Sequence, residues 1–167
     1  MNKVKEKSGI YWIWLSILVL GIDLFTKYLV VKSFALYESI SILPIFNLTY
    51  VRNTGAAFSF LADHSGWQKY FFICLALIVS GVLTFLLTKN NYSQKLSNCA
   101  YALIIGGGLA NGVDRLYNGY VVDFLDFYWD IYHYPVFNIA DIGIVVGASL
   151  LLLESFLDSK KKKRVIK

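Results

Sequence analysis

The stretch that decides the fold runs from Trp67 to Thr88 and reads WQKYFFICLALIVSGVLTFLLT. It contains one charged residue, Lys69, close to its start. An α-helix needs about 20 mostly apolar residues to cross the hydrocarbon core of a bilayer. The stretch is long enough and apolar enough to meet that requirement, and it therefore predicts a transmembrane helix.

Three further stretches have a similar length and character. Working outward from the first, we predict spans over residues 11–31, 67–88, 96–117 and 137–157. The first span follows a basic N-terminus, as a secretory signal would, but no small-residue cleavage site follows, so we expect it to stay uncleaved. The fold class is thus an integral membrane protein, mainly α-helical, with residues 1–167 forming a single domain.

The composition supports this class and excludes another. The chain is 57% hydrophobic and 16% charged, with a mean hydropathy of +0.55, which is too apolar for a soluble domain of 167 residues. Its net charge of +5 could suggest nucleic-acid binding. However, many of the basic residues lie in the terminal segments, as in proteins oriented by charge in a membrane. We therefore expect no nucleic-acid partner.

The same charges predict the orientation of the spans. Lysine and arginine concentrate in the N-terminus, the 89–95 connector and the C-terminal tail, whereas the 118–136 connector has neither. By the positive-inside rule, both termini are cytoplasmic and the 32–66 and 118–136 connectors are extracytoplasmic.

The 32–66 connector has a pattern of its own. Residues 38–51 alternate apolar and polar side chains around Pro44, which predicts two short strands. We expect them to form a small β platform on the outer membrane surface, between the first and second spans. Residues 56–66 are expected to be mobile enough to act as a lid.

Ionisable residues within membrane spans are costly and often functional. Asp23 and Lys27 are four residues apart, so they share a helix face and can form an ion pair. Asn111, Asp114 and Arg115 likewise share one face of the third span, after a glycine-rich run that permits close helix packing. These residues can be structural contacts, or Arg115 can orient an anion or a carbonyl, and the spacing alone favours neither reading.

Two aspartates are predicted at the same membrane depth. Asp123 follows the third span within an apolar string, so we expect it to be partly buried, whereas Asp126 and Asp130 are expected to be solvated. Asp141 begins the fourth span, where Asn138 can cap the helix and a carboxylate complements the helix dipole. Two carboxylates that meet in a poorly hydrated site can divide the roles of acid and base.

These residues leave three functions open. An aspartyl hydrolase would use the carboxylate pair. A small transporter or channel would use the polar face of the third span, and a scaffold would bind a partner without catalysing a reaction. The polar residues lie near the extracytoplasmic ends of the spans and do not continue through the cytoplasmic half of the membrane. The pattern therefore argues against a transport path.

Five motifs in order resemble one known family. They are DLFTKY (residues 23–28), RNTGAAFSF (52–60), NGVDR (111–115), GYVVDF (119–124) and FNIAD (137–141). Together they resemble signal peptidase II, the bacterial lipoprotein signal peptidase. The resemblance implies an aspartic endopeptidase that removes signal peptides from diacylglyceryl-modified prolipoproteins, cutting before the lipidated cysteine.

The resemblance also implies roles for individual residues. Asp123 and Asp141 match the catalytic pair. The positions that match substrate-binding or supporting residues are Asp23, Lys27, Asn53, Gly55, Asn111, Asp114, Arg115, Asn138 and Ala140. Of these, Asn53 and Arg115 are expected to hold the substrate backbone. Two departures from the family pattern, Ala110 and Ile142, leave both carboxylates in place.

The family resemblance further implies the surroundings of the protein. The expected location is the bacterial inner membrane, with the active site facing the periplasm. The expected partners are the prolipoprotein substrate, membrane lipids and globomycin-type inhibitors, with the protein acting as a monomer. No metal and no cofactor are expected, because an aspartate pair supplies its own acid and base.

Overall fold

A computed structural model of the chain describes residues 7–55 and 66–165. A short 3-10 helix at Gly9–Trp12 leads into α1, Ile13–Ser33, and the other helices are α2, Trp67–Lys89, α3, Lys95–Asn118, and α4, Ile139–Val165. Within the described residues, four helical segments are long and apolar enough to cross a membrane: Gly9–Ser33, Trp67–Lys89, Lys95–Asn118 and Ile139–Lys160. The four predicted helices are therefore confirmed.

Helix α3 is the centre of the bundle. It packs against all three other long helices, and 56% of its apolar stretch is buried, against 22% or less for the others. Glycine makes this packing possible. A Cβ added at Gly107 would collide with the backbone carbonyl of Ala140 in α4, and one added at Gly106 would lie 2.7 Å from the carbonyl oxygen of Ser16 in α1. The glycine-rich run thus lets two helices approach α3 at backbone contact.

One end of the bundle carries a four-stranded antiparallel sheet, in the order β1-β2-β3-β4. The strands are β1, Ser39–Leu43, β2, Phe46–Asn53, β3, Val121–Trp129, and β4, Tyr132–His133. The first two are the two strands predicted around Pro44, and they pair with each other as a hairpin. The platform is nevertheless wider than predicted, because the 118–136 connector adds two strands: β3 pairs with β2, and β4 pairs with β3. Both connectors therefore build one sheet.

The sheet is fixed to the bundle by a small apolar core. Val30 at the end of α1 packs with Tyr50 of β2 and with Val122 and Phe124 of β3. After β4 the chain runs back along β3, where the carbonyl oxygen of Phe137 accepts hydrogen bonds from the backbone amides of Phe124 and Leu125, at 3.0 and 2.8 Å. This contact places the start of α4 beside the middle of β3.

The proposed lid, residues 56–66, lies almost entirely outside the described residues, which resume at Gly66.

Candidate active site

Asp123 is positioned by the pairing of β2 with β3. Val51 lies opposite Asp123 and Asn53 opposite Val121, so Asn53 is the diagonal neighbour of Asp123 on the same face of the sheet. The Asn53 amide donates a hydrogen bond to Asp123 Oδ2 at 3.0 Å. Asp123 is only 2% exposed, in agreement with the burial expected from its apolar sequence context.

Asp141 is positioned by the start of α4. The side chain of Asn138 accepts a hydrogen bond from the Asp141 amide at 2.9 Å, and Asp141 Oδ2 accepts one from the Asn138 amide at 3.2 Å. This reciprocal pair is a capping box, so the predicted cap at Asn138 is confirmed. It satisfies two backbone donors that a helix start leaves without intrahelical partners.

Asn138 also joins the two carboxylates. It is fully buried, and its amide nitrogen donates to Asp123 Oδ1 at 2.6 Å, while its amide oxygen caps Asp141. From α3, the Asn111 amide donates to Asp141 Oδ1 at 2.8 Å. The two asparagines are themselves in contact, with Asn138 Nδ2 3.2 Å from Asn111 Oδ1. Both aspartates are therefore held by one amide network.

A buried ion cluster supports this network from behind. Lys27, 2% exposed, contacts Asp23 Oδ2 at 2.7 Å, Asp114 Oδ2 at 3.0 Å and Asn111 Oδ1 at 2.9 Å. The predicted pair of Asp23 and Lys27 is thus formed, and Asp114 finds a partner on another span.

Asp23 and Asp114 also bind backbone amides. Asp23 Oδ1 accepts a hydrogen bond from the Ala140 amide at 2.7 Å, and Asp114 Oδ2 accepts one from the Val122 amide at 3.1 Å. These amides lie next to Asp141 and Asp123, respectively. The cluster therefore ties α1 and α3 to the chain segments that carry both carboxylates.

Arg115 binds a carbonyl, one of the two ligands expected for it. Its guanidinium donates to the Gly55 carbonyl oxygen at 2.6 Å and lies over the ring of Phe72 at 4.9 Å. Gly55 is held in turn by its amide, which donates to Asn53 Oδ1 at 3.0 Å. Arg115 Nε is buried and has no hydrogen-bond partner among the described residues.

Both aspartates line a cavity of about 470 Å³. Asn53, Asn111 and Arg115 supply its other polar groups. Most of the remaining lining is apolar and comes from β3, the segment before α4, and α4 itself: Val121, Tyr134, Pro135, Val136, Phe137, Ile142, Ile144 and Val145. Sequence reasoning did not predict that these residues line the site, since a run such as YPVF carries no signal of the surface it faces.

The surroundings of Asp123 shift its pKa. Burial, and then the neighbouring carboxylate of Asp141, raise the pKa of Asp123 to about 7, against the opposing effect of hydrogen bonds from Asn53 and Asn138.

Asp126, predicted to be solvated, is instead only 3% exposed. That prediction is wrong because β2 and β4 supply three side-chain hydrogen-bond partners, Asn47, Thr49 and His133. Asp130 is exposed, as predicted.

Fold and site together define a multi-pass membrane protein with a carboxylate-lined cavity beneath a β-sheet. The family model for signal peptidase (SPase) II matches residues 15–157. The chain therefore belongs to the signal peptidase II family, and it is an enzyme, a bacterial membrane peptidase.

Individual relatives agree with the family match. The lipoprotein signal peptidase of Haemophilus influenzae is 68% identical over 159 residues, which are 95% of this chain and 93% of that protein. The lipoprotein signal peptidase of Pasteurella multocida is 66% identical over 152 residues, covering 91% of this chain and 92% of the relative. A bacterial membrane enzyme solved by the in meso method is 31% identical, with a TM-score of 0.81 and 91% of each chain covered.

Proposed function

We propose that the protein cleaves signal peptides from diacylglyceryl-modified prolipoproteins, immediately before the lipidated cysteine, with Asp123 and Asp141 as its catalytic pair. The observation that carries the proposal is the single amide network that holds both carboxylates at one cavity. The printed function of the relatives, lipoprotein signal peptidase, supports the substrate class.

The different environments of the two carboxylates divide the roles. Asp141 lies in the first turn of α4 and accepts hydrogen bonds from the Asn111 side chain and the Asn138 amide. Burial, and then the neighbouring Asp141 carboxylate, raise the pKa of Asp123 to about 7, so Asp123 holds its proton up to about that pH. Asp141 is therefore the general base and Asp123 the general acid.

Hydrolysis of the peptide bond then proceeds in two steps. Asp141 takes a proton from water as the water oxygen bonds to the scissile carbonyl carbon, and Asp123 gives its proton to the carbonyl oxygen. In the second step, Asp141 gives its proton to the leaving nitrogen as the carbon–nitrogen bond breaks, and Asp123 recovers a proton from the hydroxyl. The products are a carboxylic acid and an amine, and both aspartates return to their starting states.

The remaining site residues have supporting roles in this proposal. Arg115 and Asn53 line the cavity and are placed to orient the substrate backbone. Arg115 retains one donor, Nε, without a partner among the described residues. Asp23, Lys27, Asn111, Asp114, Asn138 and Ala140 fix the segments that carry the carboxylates, and Gly55 positions Arg115.

The apolar wall of the cavity fits an active site at the membrane surface. We propose that the sheet lies on the periplasmic face of the inner membrane, with both termini cytoplasmic, as the distribution of lysine and arginine indicates. The apolar wall on α4 can then receive the substrate's signal segment and acyl chains from the bilayer. In this proposal residues 1–167 act as one monomeric domain, and globomycin-type cyclic peptides compete for the same cavity.

The test is cleavage of a purified diacylglyceryl prolipoprotein in detergent or liposomes. Asp123→Asn and Asp141→Asn should each lower kcat by about 10³-fold or more, because an asparagine amide cannot act as the general acid or the general base. Asp130→Asn is the matched control, since Asp130 is exposed on the same connector. Turnover at the wild-type rate by either of the first two variants would exclude the catalytic pair.

A further inference from the structure

A chain of polar side chains crosses all four strands on the face of the sheet opposite to Asp123. Asp126 is three residues after Asp123 in β3, and side chains alternate between faces along a strand, so the two carboxylates point to opposite sides. Thr49 of β2 donates to Asp126 Oδ2 at 2.9 Å, and Ser39 of β1 contacts Thr49 at 2.7 Å. On the other side, His133 of β4 contacts Asp126 Oδ1 at 2.7 Å.

The contact between His133 and Asp126 is a charge-assisted hydrogen bond. A carboxylate only accepts, so the histidine Nδ1 carries the hydrogen. Burial alone would raise the pKa of Asp126, but the hydrogen bonds from His133, Thr49 and Asn47 outweigh it and lower the pKa, so the carboxylate stays ionised. The His133 side chain is about half exposed and its ring stacks on Tyr128, with the centroids 5.2 Å apart.

Within residues 7–55 and 66–165, few other contacts hold β4 in place. The strand is two residues long and pairs with β3 at two positions, Tyr128 with His133 and Trp129 with Tyr132. The next four residues, 134–137, form one wall of the active-site cavity. The backbone of this wall meets β3 at its two ends, where the Tyr134 amide donates to the Phe127 carbonyl oxygen at 2.8 Å and the Phe137 amide to the Leu125 carbonyl oxygen at 3.1 Å.

We propose that His133 is a positioning residue for the substrate: its bond to Asp126 fixes the cavity wall formed by residues 134–137. It does not touch the reacting atoms, because its partner lies on the opposite face of the sheet from Asp123. The wall binds the substrate, whereas Asn53, Asn111 and Asn138 hold the carboxylates independently. Loss of the bond therefore weakens substrate binding and leaves the chemical step nearly intact. This inference rests on the proposed use of the cavity for the prolipoprotein.

Kinetics of prolipoprotein cleavage by the full-length protein test the proposal. His133→Ala should raise KM about three- to tenfold and change kcat by less than about twofold, because a hydrogen bond to a charged group is weakened when one partner is half exposed. His133→Asn should restore KM, since its Nδ2 takes the place of Nδ1. His133→Gln should not, because its amide lies one carbon further out. Ile131→Ala, at an exposed position in the same hairpin, is the control.

A second variant and a second measurement separate positioning from stability. Asp126→Ala, which removes the acceptor, should raise KM similarly, and combining it with His133→Ala should add little, because both remove the same contact. Amide hydrogen exchange in His133→Ala should accelerate in residues 132–137 and remain unchanged in α2. The Asn and Gln variants keep the comparison valid should the Ala variant fail to fold.

A fall in kcat at constant KM, equal KM values for His133→Asn and His133→Ala, or unchanged exchange in residues 132–137 would each overturn the proposal. All these variants retain Asp123 and Asp141. Failure of the catalytic-pair proposal would appear as activity in Asp123→Asn or Asp141→Asn. The KM and exchange results would still be interpretable in that case.

Discussion

Asn138 performs two tasks with one amide group, and they can be separated by substitution. Its oxygen caps α4 by accepting from the Asp141 amide, and its nitrogen donates to Asp123 at 2.6 Å. Serine keeps an oxygen that can cap the helix but has no amide to reach Asp123, whereas alanine has neither. Asn138→Ser should therefore remove the bridge alone, and Asn138→Ala should remove the bridge and the cap.

The expected magnitudes follow from the two contacts. A hydrogen bond to a charged group contributes about 1.5–3 kcal/mol, and in the proposed mechanism this one strengthens when Asp123 gives its proton to the substrate and becomes an anion. Both variants should therefore lower kcat/KM by about 10- to 150-fold. Asn138→Ala should also lose about 1 kcal/mol more stability than Asn138→Ser, the usual contribution of an N-cap.

Prolipoprotein cleavage and thermal unfolding of the purified variants in the same detergent measure the two effects. Asn118→Ala is a suitable control, because Asn118 is an exposed asparagine that contacts Asp114 and neither carboxylate of the pair. Wild-type kcat/KM in Asn138→Ser would refute the bridging role. Equal unfolding midpoints for the serine and alanine variants would refute the capping role.

Two further predictions concern the acid and the helix packing. Because the pKa of Asp123 is raised to about 7 and, in the proposed mechanism, Asp123 acts as the acid in its protonated form, kcat/KM should fall as pH rises through about 7. Asn53→Ala removes a hydrogen bond that lowers this pKa, so in this variant the fall of kcat/KM should occur at higher pH. A fall at the same pH as in the wild type would contradict the assignment of Asp123 as the acid. Gly107→Ala should lose about 1–3 kcal/mol of unfolding free energy and much of its activity, because the new methyl group collides with the Ala140 carbonyl. Gly108→Ala is the control, since the nearest atom to its methyl group is 3.9 Å away, and equal stability of the two variants would contradict the packing argument.

The features that sequence reasoning predicted correctly depend on neighbours along the chain. A run of about 20 apolar residues specifies a membrane helix without reference to the rest of the fold. The ion pair of Lys27 with Asp23 follows from their four-residue spacing in a helix. The capping box of Asn138 and Asp141 follows from their three-residue spacing at a helix start. Each can be inferred from local geometry alone.

The features that were missed depend on distant partners. In β3 both faces are largely buried, so VVDFLDFYW lacks the alternation that marks a half-exposed strand. Its place in the sheet is set by pairing with β2, some 70 residues earlier, across two membrane helices. Asp126 was predicted to be solvated because the donors that stabilise its buried carboxylate, Thr49 and His133, are not adjacent to it in sequence.

The order of the strands has a consequence for biosynthesis. Both carboxylates of the proposed pair follow α3, and β3 must return to β2 across the second and third spans before Asp123 meets Asn53. A chain that ends after α3 thus contains the residues of the first hairpin and of the ion cluster but neither carboxylate of the proposed pair. Under the proposed function, cleavage therefore requires that synthesis has continued into α4, and incompletely synthesised chains should not cleave a prolipoprotein.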